Sequence, residues 1–447
     1  MDGANLLAAI SLSIALLLLL ILRFKVHAVF ALLAAAVLLG VGAGMPPAEI
    51  LTSLRKGMGD LLGSIALLVA GGMILGRMIE ISGGGQEVAR FLISAFGQDR
   101  IPWAIMTAGY IIAIPVFFDA GFLTLIPLMW SMSKETKKSL LTFALPLLCG
   151  LTATHGLVPP SAGPAAAAEL LGADMGKVIL YGMLLAIPMS VSGGIVYAKW
   201  ISRRMFIEPP RHLAVAVPRE AEQTRRTPSF GTVLAVILFP VLLISMGTAA
   251  PSVFPEDSKI LPWILLFGSS QIALVISAAV SIVVLGLRSG LKADTLLTQV
   301  GESLNAIGSL IIIIGTAGSF KQVIVDSGAG PYFAQFLVGA HISPLLIAFC
   351  IGAALRLIIG SATASILTAG GLAAPVAAAF PHVDPALMVM GVAIGGSITS
   401  HVNDAGFWMV KEYCGMTVPQ TLKAYSVAKV VTSLTGLAAL LLLSLFV

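Results

Sequence analysis

Charged residues are scarce in this chain of 447 residues. Lysine, arginine, aspartate and glutamate together make up 11% of it, whereas hydrophobic residues make up 58%. Soluble domains are roughly 25% charged and about 45–50% apolar. This composition excludes a soluble globular protein. The formal net charge of +5 arises from few residues, so it indicates basic loops beside a membrane rather than a nucleic-acid-binding surface.

Cysteine and nucleotide-binding patterns are also nearly absent. The three cysteines, Cys149, Cys350 and Cys414, are too few and too scattered for a disulfide framework or a metal site. The run SGGG at 82–85 has neither the preceding strand nor the following GK[ST] of a phosphate-binding loop. No GxSxG nucleophile motif occurs. We therefore expect no cofactor, no metal and no enzymatic activity.

Long apolar runs dominate the chain. A helix that spans a membrane needs about 20 mainly apolar residues. Runs of this length, or nearly so, lie at 5–22, 26–43, 57–79, 139–157, 177–199, 230–247, 260–287, 303–325, 385–410 and 424–446. The first run lacks the basic start and the cleavage site of a signal peptide. We therefore interpret it as the first spanning helix.

Two further apolar stretches, 101–132 and 343–380, are too long for one crossing and are broken by polar or small residues. Basic residues stand in five loops: Arg23 and Lys25; Lys134, Lys137 and Lys138; Lys199, Arg203, Arg204, Arg211, Arg219, Arg225 and Arg226; Arg288 and Lys292; Lys411 and Lys423. Basic loops favour the cytoplasmic side. All five can lie there only if the N-terminus is outside and each broken stretch enters and leaves by one face. Both stretches are therefore predicted re-entrant hairpins, which protein or a water-filled cavity must surround.

A repeat divides the chain into two halves. The basic polar segment 201–229 is a predicted cytoplasmic linker between an N-terminal repeat, 1–200, and a C-terminal repeat, 230–447. A shift of 245 residues pairs Ser82-Gly83 with Ser327-Gly328 and Phe91-Leu92 with Phe336-Leu337, and a shift of 246 lays GLTATH at 150–155 over GSITSH at 396–401. Each half has five crossings, so the second must be inverted. The predicted fold is an all-α polytopic membrane protein of two inverted-topology repeats, with about ten spanning helices, two hairpins and discontinuous helices, as in many secondary transporters.

Four segments combine helix-breaking residues with polar side chains at predicted membrane depth. They are IPVFFDAGF with Asp119; THGLVPPSAGP with Thr154, His155 and Ser161; RLIIGSATAS with Arg356, Ser361 and Thr363; and TSHVNDAGF with Ser400, His401, Asn403 and Asp404. Unwound backbone there exposes amides and carbonyls, and half-helix N-termini attract an anion. Because the segments hold matching places in the two halves, we predict that they meet at one site.

Ionisable residues inside a membrane are costly and are functional candidates by default. We assign binding of a substrate carboxylate to Arg356 or to half-helix N-termini. Hydroxyl recognition is assigned to Ser361, Thr363, Thr154 and Asn403, with Ser161 and Ser400 as further substrate-binding candidates, and proton coupling to Asp119, Asp404, His155 or His401. Each assignment has a structural alternative: a buried ion pair for the charged residues, hydrogen bonds that hold a broken helix for the histidines, and bonds to a preceding helix carbonyl for the hydroxyls.

The same segments resemble a known family. The stretches IPVFFDAGF, GLTATHGLVPPSAGPAAA, GSATASILTAGGLAAP and SHVNDAGFWMVKEYCGMTVPQTLK resemble the gluconate:proton symporter family of bacterial inner-membrane permeases, a branch of the ion-transporter superfamily that also includes D-serine permeases. The resemblance implies proton-coupled uptake of sugar acids or similar hydroxy or amino acids. It also implies a scaffold-plus-transport-domain arrangement, usually dimeric. Ser161 and Ala162 replace the histidine and proline of many relatives' PPHPGP, and Asp119 stands where glutamate is common.

The sequence thus predicts a secondary active transporter that imports a small hydroxylated organic acid, gluconate or a related sugar acid, with protons by alternating access. A permease for D-serine or another hydroxy or amino acid is an alternative, as is a sodium-coupled carboxylate symporter, because unwound carbonyls and hydroxyl oxygens suit sodium. A passive anion channel is less favoured because the breaks cluster at one depth. Expected partners are the organic acid, protons or sodium, membrane lipid and a second copy of the chain, with no nucleic acid.

Overall fold

The computed structural model describes residues 3–210, 227–255, 257–306, 308–329 and 342–447. Within these ranges the regular structure is helical, without strands. Two parts of the sequence prediction lie outside the described residues, namely the linker arginines Arg211, Arg219, Arg225 and Arg226 and the repeat match at Phe336-Leu337.

The first half contains ten α-helices among the described residues. They are α1 Gly3–Leu22, α2 Ala28–Gly42, α3 Pro47–Ile81, α4 Gly84–Phe96, α5 Ile101–Ile112, α6 Phe118–Thr136, α7 Leu141–Leu157, α8 Ala162–Leu171, α9 Met175–Val191 and α10 Ala198–Ser202. A π-helical turn, Ser192–Tyr197, joins α9 to α10.

The described part of the second half contains eleven. They are α11 Phe230–Val253, α12 Leu261–Gly268, α13 Ser270–Ser281, α14 Ala293–Ala306, α15 Gly308–Asp326, α16 Pro344–Ile359, α17 Ala362–Ala379, α18 Pro385–Gly395, α19 Ala405–Tyr413, α20 Val418–Thr421 and α21 Val427–Leu443. A π-helical turn, Ile282–Gly286, follows α13. Another, Leu422–Ser426, makes α20 and α21 one continuous helical segment.

Seven described helical segments are long and apolar enough to cross a membrane. They are Pro47–Ile81, Leu141–Leu171, Met175–Ser202, Phe230–Val253, Ser270–Ser289, Ala362–Ala379 and Val418–Leu443. Shorter apolar helices lie at Asn5–Ile21, Ala28–Gly42, Pro344–Ile359 and Pro385–Gly395. The predicted all-α polytopic membrane class is confirmed. The count of ten crossings stays a prediction.

The two predicted hairpins both contain a turn between two helices. The first turns at 113–117, between α5 and α6, and the second turns at Gly360 and Ser361, between α16 and α17. α16 and α17 pack along each other, whereas α5 and α6 both pack on α7 and barely touch. Asp119 lies in the first turn of the helix after the first break, and Ser361 lies in the second break. Entry and exit by one membrane face stays a prediction for both, and α17 is itself long enough to cross.

Equivalent helices of the two halves pack in the same way. α5 packs on α7 in the first half, and α16 packs on α18 in the second. A Cβ added at Gly150 would lie within 3.0 Å of backbone atoms of α5, and one at Gly395 would lie within 2.9 Å of backbone atoms of α16. Gly395 directly precedes Gly396, the residue that the sequence alignment pairs with Gly150. Glycine at these crossings lets the helices approach closely, as is common inside membranes. The repeat itself stays a prediction.

The two halves also interlock. α3 packs along α13 and α15, and α8 packs along α17. The packing of the two halves is therefore interdigitated rather than side by side.

Candidate functional site

A cavity of about 350 Å³ lies where the breaks of the two halves meet. Small-molecule sites in proteins enclose about 300–1,000 Å³, so this volume suits a small organic acid. Seven of the residues predicted from the sequence line it, namely Asp119, His155, Arg356, Ser361, Thr363, Asn403 and Asp404. Three of the four predicted segments, those with Asp119, Arg356 and Asp404, thus line one cavity as expected. Of the predicted residues in the fourth segment, only His155 lines it.

Three helices of the described chain begin at this cavity. Pro115, which cannot continue a helix, precedes α6, and the first turn of α6 carries Asp119. α17 begins after Ser361, whose hydroxyl accepts a hydrogen bond from the amide of Ala364 at 3.4 Å. α19 begins after Asp404, whose carboxylate accepts one from the amide of Gly406 at 3.0 Å. A helix N-terminus carries unsatisfied amides and partial positive charge, so all three favour negative groups in the cavity.

Arg356 is buried on α16 and uses its donors on the protein. Its Nε donates to the carbonyl of Thr399 at 2.5 Å, one terminal nitrogen donates to the carbonyl of Gly360, and the other contacts Asp404 Oδ2 at 2.5 Å. Ser400 Oγ also donates to that carboxylate. Arg356 is 3% exposed. These contacts favour the structural alternative for Arg356 and Asp404, an ion pair that joins the end of α16 to the loop before α19.

His401 and Asn403 hold the end of α16. His401 Nε2 lies 3.0 Å from the carbonyl oxygen of Leu357, and Asn403 Nδ2 donates to that oxygen at 3.0 Å and to Ile358 at 3.2 Å. Gly360 closes the same turn at φ +81°, where a Cβ would lie 2.8 Å from the carbonyl carbon of Asn403. His401 does not line the cavity, whereas Asn403 does.

Three other predicted residues lie away from the cavity surface. Ser161 is buried and precedes α8 as its N-cap. Ser400 is buried, and its hydroxyl contacts Asp404. Thr154 is fully buried in the last turn of α7, and its Oγ1 has no hydrogen-bond partner in the described part of the chain. Their predicted contact with substrate is untested.

Asp119 lies between two cavities. It is exposed on the first turn of α6, and with Phe117 it lines both the central cavity and a second one of about 430 Å³. Arg77 and Glu302 line the second cavity and connect α3 to α14 by an ion pair of 3.4 Å. The ring of Phe117 lies 5.1 Å from that of His155, centroid to centroid. Asp119 is thus placed to contact both spaces.

The sequence prediction missed four residues with polar side chains that line the cavity, namely Thr152, Ser397, Tyr425 and Lys429. Lys429 is the most informative, since it is the only charged residue between Ala424 and Val447. The rule that an intramembrane charge is a functional candidate would have identified it. The high average hydrophobicity of the last run concealed it.

Comparison with known proteins agrees with this architecture. The sequence profile described as GntP family permease matches residues 5–446, nearly the whole chain. The chain belongs to the GntP family of permeases. This permease is 39% identical to a gluconate permease of Pseudomonas aeruginosa over 96% of its own length and 95% of the relative. It is a multi-pass protein of the bacterial inner membrane and not an enzyme.

Two further relatives cover nearly all of this permease. The high-affinity gluconate transporter of Escherichia coli K12 is 37% identical over 99% of this chain and 100% of the relative. The Gnt-II system L-idonate transporter of the same strain is 33% identical over 97% of each.

Two solved transporters share the fold. They are YdaH of Alcanivorax borkumensis and MtrF of Neisseria gonorrhoeae, each with a TM-score of 0.62 and 16% identity over 89% of this permease, covering 88% and 84% of their own chains. At this identity the likeness concerns the fold alone.

Proposed function

We propose that this permease imports a sugar acid, gluconate or a close relative, together with protons by alternating access around the central cavity. The observation that carries the proposal is the cavity itself, where helix N-termini from both halves and charged side chains surround a space of about 350 Å³. Curated relatives of nearly equal length are named for gluconate and L-idonate, which are both polyhydroxy carboxylates.

The start of α17 is the proposed recognition element for substrate oxygens. α6 and α19 already hold a carboxylate of their own at their first turns, Asp119 and Asp404. The first turn of α17 holds no acidic residue. Its free amides and the hydroxyls of Ser361 and Thr363 therefore supply donors to the polyhydroxy chain.

Arg356 and Asp404 position this element rather than bind substrate in our proposal. Arg356 contacts the carbonyls of Gly360 and Thr399 and the carboxylate of Asp404, so it fixes the turn before α17 relative to the loop before α19. Removing one partner of such a buried ion pair is strongly destabilising, because it leaves the other charge buried without compensation. Asn403 and His401 support the same turn through the carbonyls of α16.

Asp119 is the proposed proton carrier, with His155 as the second candidate. A carrier in a symporter must contact each side in turn, and Asp119 lines both cavities. The second cavity lies at Glu302, ten residues after Lys292, which the basic-loop pattern assigns to the cytoplasmic side. Sodium coupling is the alternative, and proton-driven accumulation in sodium-free buffer separates the two.

The division into repeats 1–200 and 230–447 with linker 201–229 stays our proposal, supported by the matched packing around Gly150 and Gly395. A homodimer stays a proposal that rests on the family resemblance.

Substrate class is tested by counterflow. Proteoliposomes are loaded with unlabelled gluconate, and entry of labelled gluconate is measured with gluconate, L-idonate, D-serine or sorbitol outside as competitors. We expect competition by the two sugar acids and little by D-serine or by sorbitol, which lacks a carboxylate. Stronger competition by D-serine than by either sugar acid would contradict the proposal in favour of an amino-acid permease.

A further inference from the structure

Lys429 is a buried basic residue of the last membrane helix. It lies six residues after Lys423, the exposed lysine of the predicted cytoplasmic loop, which is about 9 Å along the helix at 1.5 Å per residue. Lys429 is 4% exposed and lines the central cavity. Its side chain is therefore enclosed by protein at the cavity rather than exposed with that of Lys423.

Lys429 has no anionic partner among the described residues. Two acidic residues line the same cavity, Asp119 and Asp404. Asp404 already contacts Arg356, Ser400 and the amide of Gly406. Neither acidic residue forms an ion pair with Lys429 in the described chain. A buried ammonium without an anion is unfavourable, and an anion in the cavity relieves that cost.

A second polar group that lines this cavity also lacks a partner in the described ranges. Ser397 follows α18, is 4% exposed and lines the cavity, and its Oγ has no hydrogen-bond partner in the described ranges. Buried hydroxyls are normally hydrogen-bonded, so this one indicates a missing ligand atom or water. Lys429 and Ser397 together offer one positive charge and a hydroxyl donor, which suit a carboxylate group.

We infer that Lys429 is the residue that binds the carboxylate of the substrate, with Ser397 donating a further hydrogen bond. The polyhydroxy chain then extends toward Ser361 and Thr363 at the start of α17, which line the same cavity. This inference rests on the proposed function, because it assigns the charged end of a sugar acid. It also makes the ammonium a specificity determinant, since a neutral polyol leaves it unpaired.

The test measures binding by the purified full-length permease. The Kd of gluconate and of sorbitol, its carboxylate-free analogue, is determined for the wild type, Lys429→Met, Lys429→Gln and Lys429→Arg, together with ligand-free melting. We expect the Kd of gluconate to rise about tenfold to a hundredfold in the Met and Gln variants, the loss for a hydrogen bond to a charged group. Sorbitol binding should not weaken, and Lys429→Arg should restore most of the gluconate affinity. Lys423→Met is the matched control, because Lys423 is an exposed lysine of the same helical segment and does not line the cavity.

Two outcomes would overturn the inference. If folded Lys429→Met or Lys429→Gln binds gluconate with the wild-type Kd, Lys429 does not contact the carboxylate. This conclusion holds even if the variants lose stability or proton-driven accumulation. An equal rise in the Kd of gluconate and of sorbitol would show that Lys429 affects the shape of the cavity and does not bind the carboxylate through its charge. Failure of the proposed function looks different, because the wild type itself would then bind no sugar acid.

Discussion

The replacement Arg356→Lys separates a structural arginine from a substrate-binding one. Arg356 makes three charge-assisted contacts at membrane depth, with Thr399, Gly360 and Asp404. Lysine keeps the charge, but its single ammonium cannot reproduce a planar fork that reaches three acceptors. At least two hydrogen bonds are lost. At about 1.5 kcal/mol each, the lower value for a hydrogen bond that involves a charged group, the free energy of unfolding should fall by about 3 kcal/mol.

Arg356→Met should be worse, because it leaves Asp404 buried without its cation. Removing one partner of a buried pair costs about 3–5 kcal/mol. The double variant Arg356→Met/Asp404→Asn should recover part of that loss, because no unpaired charge remains. The recovered part is the coupling energy of a double-mutant cycle.

The assay is ligand-free unfolding in detergent alongside the Kd of gluconate for the folded protein. Arg100→Lys is the control, since Arg100 is exposed beside α5 and does not line the cavity. We expect a lower melting temperature and a Kd within a few-fold of wild type for Arg356→Lys. An unchanged melting temperature together with a Kd of gluconate raised more than tenfold would refute the structural role. Arg356 would then be the residue that binds the substrate carboxylate.

Three further replacements test other parts of the site. Asp119→Asn should abolish accumulation driven by a pH gradient while sparing counterflow. Uphill transport at the wild-type level would exclude Asp119 as the proton carrier and leave His155 as the candidate. Gly360→Ala should destabilise the permease by more than about 1 kcal/mol in the same unfolding assay, because alanine disfavours φ +81° and its Cβ meets Asn403; wild-type stability would contradict the described turn. Thr363→Val should raise the Kd of gluconate roughly fivefold, about 1 kcal/mol for one neutral hydrogen bond, and an unchanged Kd would remove Thr363 from the site.

Hydrophobic runs predicted most helices but not all their limits. The run 57–79 lies inside α3, which begins ten residues earlier at Pro47. Proline at the first helical position and Glu49 in the first turn favour that start, although neither is apolar enough to extend the run. The predicted span 260–287 is divided at Ser269 between α12 and α13. Hydropathy reports membrane depth, and it does not register a kink between two apolar helices.

The breaks were predictable because proline, glycine and polar residues in an apolar run leave backbone groups that only a cavity can satisfy. The partners of the side chains were not. Arg356 pairs with a residue 48 positions away, and no local pattern identifies Asp404 over Asp119 as its partner. A histidine at predicted membrane depth is a functional candidate by residue type. The ring of His401 nevertheless lies against the carbonyl of Leu357. Residue types predicted which segments line the candidate site. Only the three-dimensional contacts show which of its side chains pair with each other and which face the cavity.

The most direct test of the central claim is uptake by proteoliposomes in sodium-free buffer. Labelled gluconate is added outside at a pH below that of the lumen, and its internal concentration is followed with and without a protonophore. We predict accumulation above the external concentration, which the protonophore and Asp119→Asn both abolish. Equilibration to the external concentration alone would contradict proton-coupled import in favour of a channel. Accumulation only with an inward sodium gradient would contradict it in favour of a sodium symporter.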